Sequence, residues 1–284
     1  ILVVDDDADM LRLLSLRLKA AGHDVVVLHR SLHKAPGARA VDTPRHMARQ
    51  CDVVILLVPG APEIDGVLEE LAEGARERDA DHDRLVLAIS STVSPVDITR
   101  WHRDTSGVEF VDAPISGGEA GAIRGDLSVM VGGDDAAAGL VSDVLSSCGR
   151  PVHLGPLGAG QVAKACNQLI CAAEIVAISE ASVVAERAGL DLATLLDLLQ
   201  GGYAGSTILA DKTPKLVAHD YSVSAQAAFV HKDVSAYLDA ARATGTTSVL
   251  GGPIVAAAQQ LIDGGLGEQD SAVFQKWIAD RTEK

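Results

Sequence analysis

Six short apolar runs punctuate the first half of the chain: "ILVV" (1–4), "DVVVL" (24–28), "DVVILLV" (52–58), "RLVLAI" (84–89), "VEFVDA" (108–113) and "LSVMVGG" (127–133). They are rich in Val, Leu and Ile, as strands buried on both faces of a sheet are. The segments between them read as helices. In residues 8–21, Leu11, Leu14 and Leu18 recur at i, i+3 and i+7, one face of a helix. Strands alternating with helices predict an α/β fold built on a Rossmann-like, doubly wound parallel sheet.

The second half changes character. From Gly160 to about Ala188 the chain carries one long helical pattern, which at 1.5 Å per residue would span about 40 Å. It is apolar nearly all round, so it is expected to be buried. Everything after it reads as helix and turn. The seam falls near "GPLGAG" (155–160), giving a Rossmann-like domain over 1–157 and an all-α domain over 158–284. With 48% apolar residues and only 3% aromatic ones, the core must be made chiefly of Ala, Val, Leu and Gly packed closely.

The formal charge is −15. Nucleic acid is thereby disfavoured as a partner, because binding it needs a basic stripe that displaces counterions. An acidic, evenly charged surface suits a cytoplasmic protein. None of the four cysteines forms a C-x-x-C pair and none of the nine histidines an H-x-x-x-H pair, so no metal site is expected. No signal peptide is visible and no apolar run reaches membrane-spanning length, so no membrane is expected as a partner.

Three aspartates, Asp5, Asp6 and Asp7, follow the first run directly. An acid pair between a first strand and a helix resembles the start of a response-regulator receiver domain, over residues 1–27. In that family the pair holds Mg²⁺ beside a phospho-acceptor aspartate at the end of the third strand. Here the matching position is Leu57 or an apolar neighbour, so nothing stands ready to be phosphorylated. The simpler reading is that the aspartates cap and solubilise the helix that follows.

Three other stretches carry more specific chemistry. Ser116-Gly117-Gly118 forms a turn after a strand, where backbone amides can approach a carboxylate. "GAGQVA" (158–163) fits G-x-G-x-x-A, but no second strand ending in an acid follows, so it reads as a helix start. Lys164, Asn167 and Gln168 then lie at i, i+3 and i+4 on one helix face. A lysine on an otherwise apolar helix is costly unless paired or functional.

Together with "ISSTVSP" (89–95), "VPGAPE" (58–63) and "FVHKDVSAYLDAA" (229–241), these stretches resemble the β-hydroxyacid dehydrogenase family of 3-hydroxyisobutyrate dehydrogenase type, over about residues 22–284. The resemblance implies an NAD(P)-dependent oxidoreductase of small 3-hydroxy acids or their aldehyde or keto partners, assembled as a homo-oligomer. It makes Lys164 the general acid/base. It assigns Ser116, Gly117 and Gly118 to the substrate carboxylate, and Asn167 and Gln168 to orienting the substrate. Val58, Pro59 and Glu63 fall by the adenosine, Thr92 by the nicotinamide ribose, and Lys232 where it reaches the cofactor. Arg30 and Ser31 replace the acid that would bind a ribose 2′-hydroxyl. Arginine there accommodates a 2′-phosphate, which favours NADP, with NAD as the alternative.

One departure stands out. The family opens with a glycine-rich turn, and this chain has "VVDDDADM". The sequence thus reads as a receiver-like β-α unit joined to a dehydrogenase. Carboxylates obstruct the approach of a pyrophosphate to backbone amides. Each one at about 5 Å from a phosphate charge costs roughly 3 kcal/mol at an effective dielectric near 20. A folded hybrid with impaired cofactor binding and little activity is therefore the alternative expectation, and a receiver-type signalling domain a more distant one.

Overall fold

Strand β1 (Leu2–Asp5) pairs in parallel with β2 (Val26–Leu28) on one side and β4 (Val53–Leu57) on the other, so that Val3 stands opposite both Val27 and Ile55. Helix α1 (Ala8–Ala20) joins β1 to β2, and β3 (Arg39–Ala40) lies at the far edge. After α2 (Pro44–Ala48) and β4 come α3 (Ala61–Arg76), β5 (Leu85–Ile89), α4 (Pro95–Asp104) and β6 (Val108–Asp112). The parallel order is β3-β2-β1-β4-β5-β6, the two-halved arrangement that reverses direction beside β1. The computed structural model describes residues 2–5, 8–28, 39–40, 43–78 and 84–281.

The sheet continues with β7 (Ile115–Ser116), α5 (Gly118–Arg124), β8 (Leu127–Gly132), α6 (Asp135–Leu145) and β9 (Gly149–Gly155), nine strands among the described residues. β8 runs antiparallel to β6 and β7, and parallel to β9. Neither β7 nor β9 is predicted from the sequence. Ser116 accordingly closes a short strand, and the turn proper is Gly117-Gly118.

Side chains alternate between the two faces along β4, β5 and β6. Val54, Leu56, Leu87, Ile89 and Phe110 point into one core with Met47, Ile64 and Trp101. Val53, Ile55, Val86, Ala88 and Val111 point into the other with Leu14, Leu18, Val129 and Val141. Every residue of β5 is buried, as a strand covered by helices on both faces must be. Helix α1 belongs to this core: Leu14 and Leu18 are buried in it. Arg17 of the same helix donates from Nε to the Ala122 carbonyl at 2.8 Å and from a terminal amine to that of Ile123, satisfying carbonyls in the last turn of α5.

The chain divides into two compact units, Ile1–Lys164 and Ala165–Lys284. The two are linked by one continuous 29-residue helix, α7 (Ala159–Arg187). Four further helices, α8 (Leu192–Gln200), α9 (Thr207–Ala218), α10 (Ala228–Ala243) and α11 (Gly251–Asp263), precede a 3₁₀ turn and α12 (Phe274–Arg281). The second unit has one core around Val230, Val234, Ile254, Leu261 and Phe274, and another around Leu192, Leu196, Leu209 and Leu216.

Two expectations about α7 need correction. The helix is not buried all round. Val162, Ile170 and Val184 are exposed, and 28% of its most apolar 18-residue window is covered within the chain. Nor does every segment fall short of membrane-spanning character: by length and composition α7 is long and apolar enough to cross a bilayer. The discrepancy arises because charges at Lys164, Glu174 and Glu180 break the apolar run without lowering its average much. The core helix of a soluble protein passes the same test. The first turn of α7 is also hydrogen-bonded to Asp112 at the end of β6.

Candidate active site

Strand β6 ends at Asp112, whose side chain is fully buried. Its two carboxylate oxygens accept hydrogen bonds from the Gly158 N–H at 2.7 Å and the Gln161 N–H at 2.6 Å. These are among the orphan donors that a helix N-terminus must satisfy, so Asp112 caps α7 from 46 residues away in sequence. Burial pushes the Asp112 carboxyl up to about 6 even though those N–H bonds favour its ionised form. Gly160 makes the close approach feasible, since a Cβ there would lie 2.2 Å from the Met130 carbonyl oxygen.

Gln161, also fully buried, extends the anchor to the loop after β5. Its Nε2 donates to the Ser91 carbonyl at 2.8 Å, and its Oε1 accepts from the Val93 N–H at 3.2 Å. Between those two residues lies Thr92, half-buried where its neighbours are buried. The Ser90 and Ser91 N–H groups in turn donate to the Leu56 carbonyl at the end of β4. One helical turn beyond Gln161 is Lys164, 7% exposed. The strand ends, the Thr92 loop and the start of the Lys164 helix therefore form one connected network within the first unit.

The Ser116-Gly117-Gly118 segment opens α5. Gly117 has φ +131° and Gly118 φ +59°, the region that favours glycine, and a Cβ on Gly117 would press to 3.1 Å from Leu127. Two consecutive residues that leave the backbone uncovered are what close approach of a carboxylate to N–H groups requires. Val58 and Pro59 follow β4 directly, Val58 half-buried and Pro59 exposed, while Glu63 lies in the first turn of α3. Asp5 pairs with Leu57 at the ends of β1 and β4, where the strand order reverses. Dinucleotides bind in such a crevice, and α1 begins there at Ala8. The strand order and helix start thus fit a dinucleotide. Asp6, Asp7, Arg30 and Ser31 lie outside the described residues.

The second unit holds the remaining candidates. Asn167 and Gln168 follow Lys164 on α7, and Asn167 donates to the Gln168 side-chain oxygen at 2.9 Å. Gln168 donates to Asp233, a buried carboxylate on α10. Lys232 pairs with the same carboxylate at 3.0 Å and stands over the Phe229 ring. Asp233 therefore joins two residues predicted separately. Deeper in this unit, buried Lys212 bonds to fully buried Asp270 at 3.0 Å. Burial works to raise the Asp270 carboxyl, but hydrogen bonds from Ser224, Ala272 and Lys212 outweigh it and bring it down to about 2.

Asp112, Gln161 and Asp233 are not among the residues predicted from the sequence. Asp112 and Gln161 sit inside the stretches "DAPISGG" and "GAGQVA", and Asp233 directly follows Lys232. The available signal was adjacency to a motif rather than any spacing of their own.

Comparison with known proteins bears on the whole chain. Residues 8–158 match the family profile of the NAD binding domain of 6-phosphogluconate dehydrogenase. Residues 158–278 match that of the NAD-binding domain of NADP-dependent 3-hydroxyisobutyrate dehydrogenase. The match starts at residue 8 and so includes α1, which the sequence alone groups with a receiver-like unit. The chain is 34% identical over 210 residues to 2-hydroxy-3-oxopropionate reductase of Escherichia coli, covering 73% of this chain and 71% of that one. It is 31% identical to the NAD-dependent L-serine dehydrogenase of Pseudomonas aeruginosa, covering 85% and 84%. The structure of Mycobacterium tuberculosis 3-hydroxyisobutyrate dehydrogenase with L-serine superposes with a TM-score of 0.82 at 25% identity, covering 99% of both chains. The chain belongs to the β-hydroxyacid dehydrogenase family of NAD(P)-dependent oxidoreductases.

Proposed function

We propose that this chain transfers a hydride between a nicotinamide dinucleotide and a small 3-hydroxy acid or its aldehyde or keto partner, with Lys164 as the general acid/base. The observation that carries the reading is the burial of Lys164 on a helix whose first turn is fixed to the sheet by Asp112 and Gln161. A general acid/base must be held at a fixed place, and the Asp112 and Gln161 contacts fix the backbone that carries Lys164. The bound cofactor supplies or accepts the hydride. Lys164 moves the proton of the substrate hydroxyl, a role that needs a group within hydrogen-bond reach of that oxygen. The Ser116-Gly117-Gly118 turn receives the substrate carboxylate through backbone amides, and Asn167 and Gln168 orient the substrate. Val58, Pro59 and Glu63 border the adenosine, Thr92 the nicotinamide ribose, and Lys232 reaches the cofactor. Arg30 and Ser31 favour NADP over NAD.

The named relatives act on 2-hydroxy-3-oxopropionate, L-serine or 3-hydroxyisobutyrate, as their names state, and those acids are the first substrates to try. The protein works in the cytoplasm as a homo-oligomer, with no membrane or nucleic-acid partner. Its acidic balance supports the last point. Asp5 at the reversal of strand order favours a second reading, in which the folded protein holds its cofactor weakly. Steady-state kinetics of Lys164→Ala test the assignment. The rate should fall by about 10² or more with cofactor affinity nearly unchanged, and an active Lys164→Ala protein refutes it.

A further inference from the structure

The side chain of Gln161 is placed as a strand's backbone would be. Its carboxamide has a donor end and an acceptor end, and one bond from each meets the carbonyl of Ser91 and the N–H of Val93, the two groups that flank Thr92. A buried amide is costly unless its groups are bonded, and both ends of this one are. An apolar side chain of the same volume would fill the space without touching either backbone group. The helix end of the clamp is fixed as well, because the N–H of Gln161 donates to Asp112.

We infer that Gln161 is a positioning residue: it holds the backbone on both sides of Thr92 and so sets Thr92 at a fixed distance from Lys164, one helical turn further on. The inference rests on the reading above that Thr92 borders the nicotinamide ribose. Gln161 itself need touch neither cofactor nor substrate. Losing the clamp leaves both Thr92 and Lys164 in the chain but frees the loop that carries the former. The predicted signature is weaker dinucleotide binding together with faster opening of residues 91–93.

Gln161→Glu isolates the donor. An ionised carboxylate still accepts from Val93, but it turns a lone pair on the Ser91 carbonyl. A protonated one donates there again. Hydrogen exchange of the Val93 amide and titration with NADPH and NADH are measured on the full chain at about pH 8 and about pH 5.5, on either side of a glutamate that full burial at this position raises from its ordinary ~4.3 to about 6.5. Asp112, which holds the Gln161 N–H, titrates in the same range, so each variant is compared with the unaltered protein at the same pH. At the higher pH Gln161→Glu should exchange Val93 and release dinucleotide about tenfold more readily, and most of both losses should vanish at the lower pH. Gln161→Met should show both losses at either pH.

If Gln161→Glu does not fold at the higher pH, the Met variant and the lower-pH Glu variant still decide between clamp and filler. Unchanged exchange and affinity in both variants overturn the inference. Faster exchange with unchanged affinity overturns the positioning role and leaves a structural one. An unaltered protein that binds neither NADPH nor NADH refutes the cofactor reading instead, while the exchange measurement still tests the clamp.

Discussion

Asp112→Asn offers a quantitative test of the network at the end of β6. The unfolded carboxyl titrates near 3.8 and the native one at about 6, because burial disfavours its charge. The native state therefore holds the proton more tightly. Its contribution to stability is fully present below the unfolded value and is lost as pH rises through the native one. At ~1.4 kcal/mol per pH unit, the loss between about pH 4 and pH 7 comes to about 3 kcal/mol. Asparagine does not titrate. It leaves one of the two helix N–H groups without its acceptor, an offset of about 1–3 kcal/mol that is the same at every pH. The difference in unfolding free energy between the two proteins should thus shift by about 3 kcal/mol in favour of asparagine across that range. Urea unfolding in a Trp277→Phe background measures it, since Trp101, buried in the first unit, is then the sole tryptophan. A difference that stays flat with pH, or that moves in favour of aspartate as pH rises, shows that the N–H bonds outweigh burial and refutes the argument.

Lys212→Met should destabilise the second unit by about 3 kcal/mol, because it leaves the Asp270 charge buried without its cation; urea unfolding followed at Trp277 checks it, and a cost below about 1 kcal/mol contradicts it. Gly160→Ala should cost about 2 kcal/mol or more and lower the melting temperature, since the new methyl would lie 2.2 Å from the Met130 carbonyl oxygen. Replacing residues 5–10 with a glycine-rich turn should tighten NADP binding roughly a hundredfold by calorimetry. Micromolar binding by the unaltered chain without divalent metal would show that the aspartates point away from the phosphates.

The architecture was legible because its signals are local. Six of the nine strands were marked by apolar runs, each long enough to be covered on both faces, and the helices between them by their period. β3, β7 and β9 escaped for different reasons. β3 and β7 have two residues each, and β9, "GRPVHLG", has a proline, a charge and a histidine among its apolar positions. Its pairing with β8 in exact succession from Leu127 to Val131 is a long-range fact with no local trace. The extent of α7 was also plain, but its surroundings were not. Apolarity around a whole helix states what could be covered, and only the packing of the chain decides which residues are.

The candidate site divides along the same line. Residues whose chemistry is unusual for their place, a lysine on an apolar helix or paired glycines after a strand, announce themselves in sequence. Those that hold them do not. An aspartate at a strand end and a glutamine in a first helical turn are ordinary in composition, and they acquire their roles only when β6 and the start of α7, 46 residues apart, come within hydrogen-bond distance. Leu14, Leu18 and Arg17 bind α1 into the dehydrogenase core and to the carbonyls of α5, the helix that opens at the glycine turn. A receiver-like spelling of this helix is therefore compatible with the dehydrogenase sheet, because a sheet-packing helix needs only its apolar face and one well-placed cation. The turn before it is under a different demand. A dinucleotide phosphate requires uncovered amides there, which is why replacement of that turn, and not of the helix, is the informative experiment.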